Sequence, residues 1–118
     1  MKWIVRQSHL KGSIIIPSSK SHTIRALLIG TLASGTSRIS KPLLTGDGAS
    51  ALGAARSLGA QVEYGGDLLT ITGCAGDYNG GFDRFDMGNS GTGTNLFTSA
   101  AALGLRRRRF DGDNSLRS

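Results

Sequence analysis

The 118-residue sequence has one cysteine, Cys74, and two histidines, His9 and His22. A lone thiol excludes an intramolecular disulfide and any multi-cysteine zinc site, and reads as a buried, inert group in a reducing compartment. The histidines are isolated, without ligand spacing between them, so no metal centre is expected. Long apolar runs are also missing. No segment approaches the roughly 18 residues a membrane span needs, and the start, MKWIVRQSHLKGSIII, lacks the long apolar region of a leader. The expectation is a soluble, unprocessed, cytoplasmic chain. Acids are scarce in one half only: residues 1–59 carry eight Lys or Arg against Asp47 alone, a net of +7, while residues 60–118 carry six against seven acids, a net of −1. The first half should therefore attract anions, whether nucleic acid or small phosphorylated compounds.

Glycine, by contrast, is abundant: 18 residues, about twice the usual share of roughly 7%, and dispersed. Three times an Ala/Leu-rich helical pattern runs into glycine and then a strand-like segment, in ALLIGTLASGTSRIS, ALGAARSLGAQVEY and LFTSAAALGLRRRRF. Gly35, Gly59 and Gly104 are expected to cap those helices, since glycine takes the left-handed conformation without steric cost. Strands are expected at Lys2 to Arg6, Gly12 to Ile16, Thr36 to Lys41, Gln61 to Tyr64 and Leu68 to Thr72, with a weaker one near Phe82 to Met87. YGGD at 64–67 predicts a hairpin turn. Alternating helices and strands make an α/β domain. Its first helix, Lys20 to about Ala33, is apolar on nearly every side after Ala26 and should be buried beyond its first turn.

That first turn holds the stretch PSSKSHTIR. A helix N-terminus carries about half a positive charge and several unbonded N–H groups. Lys20 adds a cation, Ser21 a hydroxyl, and Arg25, one turn on, a guanidinium on the same face. Together these suit a phosphate or carboxylate, although Ser19 or Ser21 could simply cap the helix beside solvated cations. A nucleotide P-loop is ruled out, because Ile14 and Ser19 stand where that pattern needs glycine. GDGASA at 46–51 meets the loose dinucleotide pattern, but Pro42 to Thr45 interrupts the preceding strand, and Asp47 reads as the cap of the second helix. DMGNSGTGTNLF, from Asp86 to Phe97, places Gly88, Gly91 and Gly93 before the third helix, with Asn89, Ser90, Thr92 and Thr94 as neutral polar groups, and forms a second anion cradle. The run Arg106 to Arg109 has no interleaved aromatics to stack on bases, and in a strand its side chains would alternate between faces, so nucleic-acid binding is not expected.

PSSKSHTIRALLIGTLASGTSRI, LGAQVE, MGNSGTGTNLFTSAAAL and FDGDNSLR, in this order, resemble the N-terminal quarter or so of the 3-phosphoshikimate 1-carboxyvinyltransferase (EPSP synthase) family. The related UDP-N-acetylglucosamine enolpyruvyl transferases typically have Lys-Asn where this chain has Lys20-Ser21, so Ser21 and Arg25 favour the shikimate branch. The resemblance implies an inside-out α/β barrel fold of βαβαββ units, present in part, with residues 1–16 belonging to the other domain and residues 17–118 forming part of the first. It implies transfer of the enolpyruvyl group of phosphoenolpyruvate to the 5-hydroxyl of shikimate 3-phosphate, in the shikimate pathway to aromatic amino acids, with no metal or organic cofactor. Matched residue by residue, Lys20 would be catalytic and contact both substrates. Ser21 and Arg25 would hold shikimate 3-phosphate, and Asn89, Gly91 and Thr92 would meet phosphoenolpyruvate. The sequence departs from the family pattern at Ile24, commonly Asn, at Asn95, commonly Arg, and at Gly48, where a second acid is common after Asp47.

The family pattern continues beyond Ser118 with further substrate-binding groups, so the chain by itself is expected to be inactive. The alternatives are a non-catalytic anion-binding module and a fragment of the UDP-N-acetylglucosamine enolpyruvyl transferase type. The family is expected to be monomeric, whereas this chain, with the apolar segment GSIII lacking partners, is expected to self-associate.

Overall fold

The computed structural model describes residues 1–118. Residues 1–17 are exposed and form no regular structure, so neither expected strand, Lys2 to Arg6 or Gly12 to Ile16, is present. Both segments have apolar, β-branched residues. A strand also needs a neighbour to take its N–H and C=O groups, and none of the five strands in this chain pairs with them. Trp3, Ile4, Val5 and Ile14 to Ile16 therefore face outward.

Regular structure begins after Pro17 with α1 (Lys20–Leu32) and β1 (Thr36–Ser40), followed by α2 (Asp47–Leu58), β2 (Gln61–Gly65) and β3 (Leu68–Thr72). The three strands form an antiparallel sheet in the order β1-β3-β2. Register places Ile39 opposite Leu69 and Val62 opposite Ile71, so one face is apolar, whereas Arg38, Thr70 and Glu63 line up on the other. The turn between β2 and β3 is Gly66-Asp67, with Gly66 at φ 59, as a two-residue hairpin with a left-handed first position requires.

The helices lie on the apolar face. α1 buries Ile24, Leu27 and Thr31, and α2 buries Ala51, Ala54, Ala55 and Leu58 at helical spacing. Gly30 lets α1 approach β3, since a Cβ there would lie 2.5 Å from Ile71 Cγ2. Contrary to expectation, α1 is not enclosed: Ser21, Arg25 and Ile29, at intervals of four, form an exposed stripe. A second layer follows, with β4 (Arg84–Asp86), α3 (Gly91–Ala101) and β5 (Arg109–Asp111), then the short α4 (Asn114–Arg117). β4 and β5 pair in parallel, which requires the α3 crossover, and stack Phe85 on Phe110 with centroids 4.3 Å apart. Phe97 of α3 is fully buried beside them in the shared core.

Of the expected glycine caps, only Gly59 closes its helix, at φ 110. α1 ends on Ala33, and Gly35 turns left-handed two residues later to start β1. α3 ends on Ala102 in right-handed geometry, and Gly104 is needed for close packing, with the Tyr78 carbonyl 2.9 Å from where its Cβ would stand.

Candidate anion-binding site

The starts of α1, α2 and α3 gather at one end of the helical layer. Ser19 caps α1, accepting from the His22 N–H at 3.4 Å, while the Lys20 and Ser21 N–H groups meet no acceptor within the chain. Thr23, one turn in, donates to the Ser19 carbonyl and accepts from the Leu43 N–H at 3.0 Å, which ties α1 to the segment leading into α2. Gly48 then packs against the Leu43 carbonyl so closely that no side chain would fit, which fixes the first turn of α2.

This turn is where the sequence reading of Asp47 is corrected. Asp47 does not cap α2: Gly46 occupies that position at φ 52, and no side-chain cap bond forms. The Asp47 carboxylate instead meets Lys20 Nζ at 2.9 Å, with side-chain exposures of 15% and 56%. The two residues are 27 apart, so no local spacing pointed to the pair. Glycine wins the cap position because the chain enters α2 with left-handed backbone, which an aspartate side chain would disfavour.

The α3 start is built from the other layer. Ser90 is fully buried and accepts from the Gly93 N–H at 3.2 Å, and Thr94 Oγ1 returns a bond to the Ser90 carbonyl. Asp86 accepts from the Gly88 N–H at 3.1 Å. β5 clamps the same loop: the Met87 N–H donates to the Asp111 carbonyl and the Asp113 N–H to the Gly88 carbonyl, both at 2.8 Å. Asp111 is held in turn by Arg117 at 2.8 Å, with Arg84 and Arg109 farther off at 3.5 and 4.0 Å. The Arg117 hydrogen bond and the Gly112 N–H hold its carboxyl down at about 2. Asn89, Gly91 and Thr92 are exposed, and the Thr92 N–H has no acceptor in the chain. None of this supporting clamp was identified from the sequence, although FDGDNSLR, which contains it, stood out as a motif.

The α3 loop lies against α2, because a Cβ on Gly88 would stand 3.1 Å from Ser50 Oγ. Both clusters of candidate residues thus share one end of the molecule, linked through the first turn of α2. No hydrogen bond joins Lys20, Ser21 or Arg25 directly to Asn89, Gly91 or Thr92. A recess of about 280 Å³ opens on a different flank of α1, lined by Ser18, Ser19, His22, Thr23, Ser40 and Lys41 among others. Chemically, the end offers unbonded N–H groups, hydroxyls, one paired cation and one unpaired cation, and so suits oxyanions.

The arginine run is divided. Arg106 pairs with Asp83 at 2.6 Å, and Arg109 reaches Asp111. Arg108 is only 4% exposed and donates to the carbonyls of Tyr78, Gly80, Phe82 and Ser57. No helix of the chain is long and apolar enough to cross a membrane.

Comparison with known proteins gives a consistent result. The family model described as EPSP synthase (3-phosphoshikimate 1-carboxyvinyltransferase) matches residues 4–118. The 3-phosphoshikimate 1-carboxyvinyltransferase of Acetivibrio thermocellus is 42% identical over 113 residues, which are 96% of this chain and 27% of that protein. The protein of the same name from Methanococcoides burtonii is 42% identical over 118 residues, covering 100% of this chain and 27% of the relative. A solved structure of EPSP synthase from Acinetobacter baumannii superposes with a TM-score of 0.74 at 27% identity, covering 89% of this chain and 24% of that one. The chain thus spans about a quarter of the length of the relatives it matches.

Proposed function

The chain belongs to the EPSP synthase (3-phosphoshikimate 1-carboxyvinyltransferase) family, and on that premise we propose that it forms the anion-gripping first portion of an enolpyruvyl transferase. In the proposed reaction the 5-hydroxyl of shikimate 3-phosphate gives up its proton as its oxygen bonds to C2 of phosphoenolpyruvate, and C3 takes up a proton. The tetrahedral adduct then loses phosphate from C2 and a proton from C3, which regenerates the double bond. Both substrates are anionic, so fixed cations and N–H dipoles would hold them in place and stabilise charge as it shifts to the leaving phosphate.

The observation that carries this reading is the pairing of two helix starts with exposed, unbonded N–H groups at one end of the molecule. We assign Lys20 to both substrates as the catalytic cation, Ser21 and Arg25 to shikimate 3-phosphate, and Asn89, Gly91 and Thr92 to phosphoenolpyruvate. Residues 1–16, exposed and unpaired here, are assigned to a second domain, and residues 17–118 to the first. Gly91 adds an independent argument. A Cβ there would meet nothing within 4 Å and its φ is not left-handed, so the fold itself does not demand glycine. The exposed bare backbone at this point leaves room for the close approach of a ligand.

Titration of the ¹⁵N-labelled chain with each substrate tests the assignment. Shikimate 3-phosphate should move the signals of Lys20, Ser21 and Arg25, and phosphoenolpyruvate those of Lys20 and Asn89 to Thr92. Gly91→Ala should leave the thermal midpoint unchanged and weaken phosphoenolpyruvate by roughly tenfold, which is about 1.4 kcal/mol, since the added methyl would stand between the backbone and the ligand. Shifts scattered over the surface, or an unaltered affinity in Gly91→Ala, would refute it.

A further inference from the structure

We infer that Asp47 is an internal counter-ion and positioning residue for this site: it holds Lys20 in the absence of substrate, competes with incoming anions for it, and keeps them off the start of α2. The inference rests on the reading of Lys20 given above. Of the three long helices, α2 alone carries an acid in its first turn, and α1 and α3 have none. Three positive helix starts sit together, and one of them is already neutralised by its own aspartate. Two remain for ligands.

The geometry separates this role from ordinary capping. A capping aspartate would accept from backbone N–H groups of its own helix, and Asp47 does not. Its one ionic partner is Lys20, on another helix, at 2.9 Å. The two ends of the pair also differ in freedom. Gly48, jammed against the Leu43 carbonyl, fixes the backbone beside the carboxylate, whereas the Lys20 side chain is 56% exposed on four flexible methylenes. The ammonium is therefore the part that moves, swinging from a rigid carboxylate to the substrate anion. Arg25 has no such carboxylate and is permanently available.

Two variants test this, Asp47→Asn and Asp47→Ser. Both remove the charge and keep a residue common at helix starts, and melting curves identify which is folded. The first readout needs no ligand: hydrogen exchange of the Lys20 ζ-ammonium, seen by ¹⁵N NMR, should be slowed in the parent chain and several-fold faster in either variant. The second uses inorganic phosphate, which should bind the variants roughly threefold more tightly at low salt, the size expected for removing one competing charge at a solvent-exposed pair. Unchanged ammonium exchange, or phosphate affinity equal to or weaker than the parent's in a folded variant, overturns the inference. If phosphate moves no signal at Lys20, Ser21 or Thr92 even in the parent, the proposed function fails, while ammonium exchange still decides whether Asp47 holds Lys20.

Discussion

At the C-terminal ends of the helices Arg108 is 4% exposed and donates to four carbonyls, whereas at their N-terminal ends Lys20 is 56% exposed and Arg25 bonds to nothing in the chain. Helix C-termini carry partial negative charge, so a cation there is stabilising, and helix N-termini repel one. Arg108 lies where the fold wants it. It gathers the Ser57 carbonyl near the end of α2 with the 73–83 loop, which also meets the end of α1 through the Cys74 N–H to Thr31 and the Ala75 N–H to Ala33. Lys20, in the first turn of α1, lies where the helix dipole opposes it, and Arg25 follows one turn later. Cations placed there, next to N–H groups without acceptors, suit the anion-binding role proposed above, and of the two only Lys20 has a carboxylate partner, Asp47.

The sharpest way to break this comparison is to remove one cation from each end. Arg108→Ala should destabilise the chain by about 3 kcal/mol, because it removes a nearly buried guanidinium that gathers the carbonyls of Ser57, Tyr78, Gly80 and Phe82, and the thermal midpoint should drop accordingly. Lys20→Met should behave in the opposite manner. Losing an exposed ion pair and relieving an unfavourable dipole contact nearly cancel, so stability should stay within about 0.5 kcal/mol. Binding of shikimate 3-phosphate, read by calorimetry, should fall at least about tenfold, as expected for loss of a charge-assisted contact. Equal destabilisation by the two substitutions would mean that both cations are structural, and the electrostatic contrast would lose its functional meaning.

What the sequence disclosed depended on the range over which each feature is determined. α1, β1, β3 and the β2-β3 hairpin lie within a residue or so of the positions read from periodicity and turn chemistry, because caps, alternation and a Gly-rich turn act locally. The strands expected in residues 1–16 had the same local quality and did not form, since pairing depends on partners elsewhere. At the site, PSSKSHTIR and GNSGTG were legible as segments leading into helices, which is where α1 and α3 begin. Their mutual placement was not, because it depends on Gly48 against Leu43 and Gly88 against Ser50, contacts between segments far apart or in different layers. The Lys20 to Asp47 pair and the burial of Arg108 were hidden for the same reason. A run of four arginines looks uniform in sequence, and only tertiary packing decides which one enters the interior.

The smallest expected effect concerns a cation at the N-terminal end that does have a full carboxylate partner. Arg117 donates to Asp111 at 2.8 Å, and Asp111, 14% exposed, belongs to the strand that clamps the α3 cradle through Met87 and Gly88. Its folded value of about 2 lies below the ordinary 3.8, so its stabilising contribution is complete above about pH 4 and is lost as pH falls toward 2. The carboxyl ¹³C signal of Asp111 should therefore titrate near 2 in the parent chain. In Arg117→Ala, which removes the largest cause of the depression, the midpoint should rise toward 3.8, and the acid-sensitive window should narrow from its lower edge as the carboxylate's contribution shrinks. The Met87 and Asp113 amide signals should report the loosening over the same interval. A midpoint unmoved by Arg117→Ala would place the depression in the Gly112 N–H and the more distant arginines, and would mean that Arg117, like Arg25, is available to an external anion.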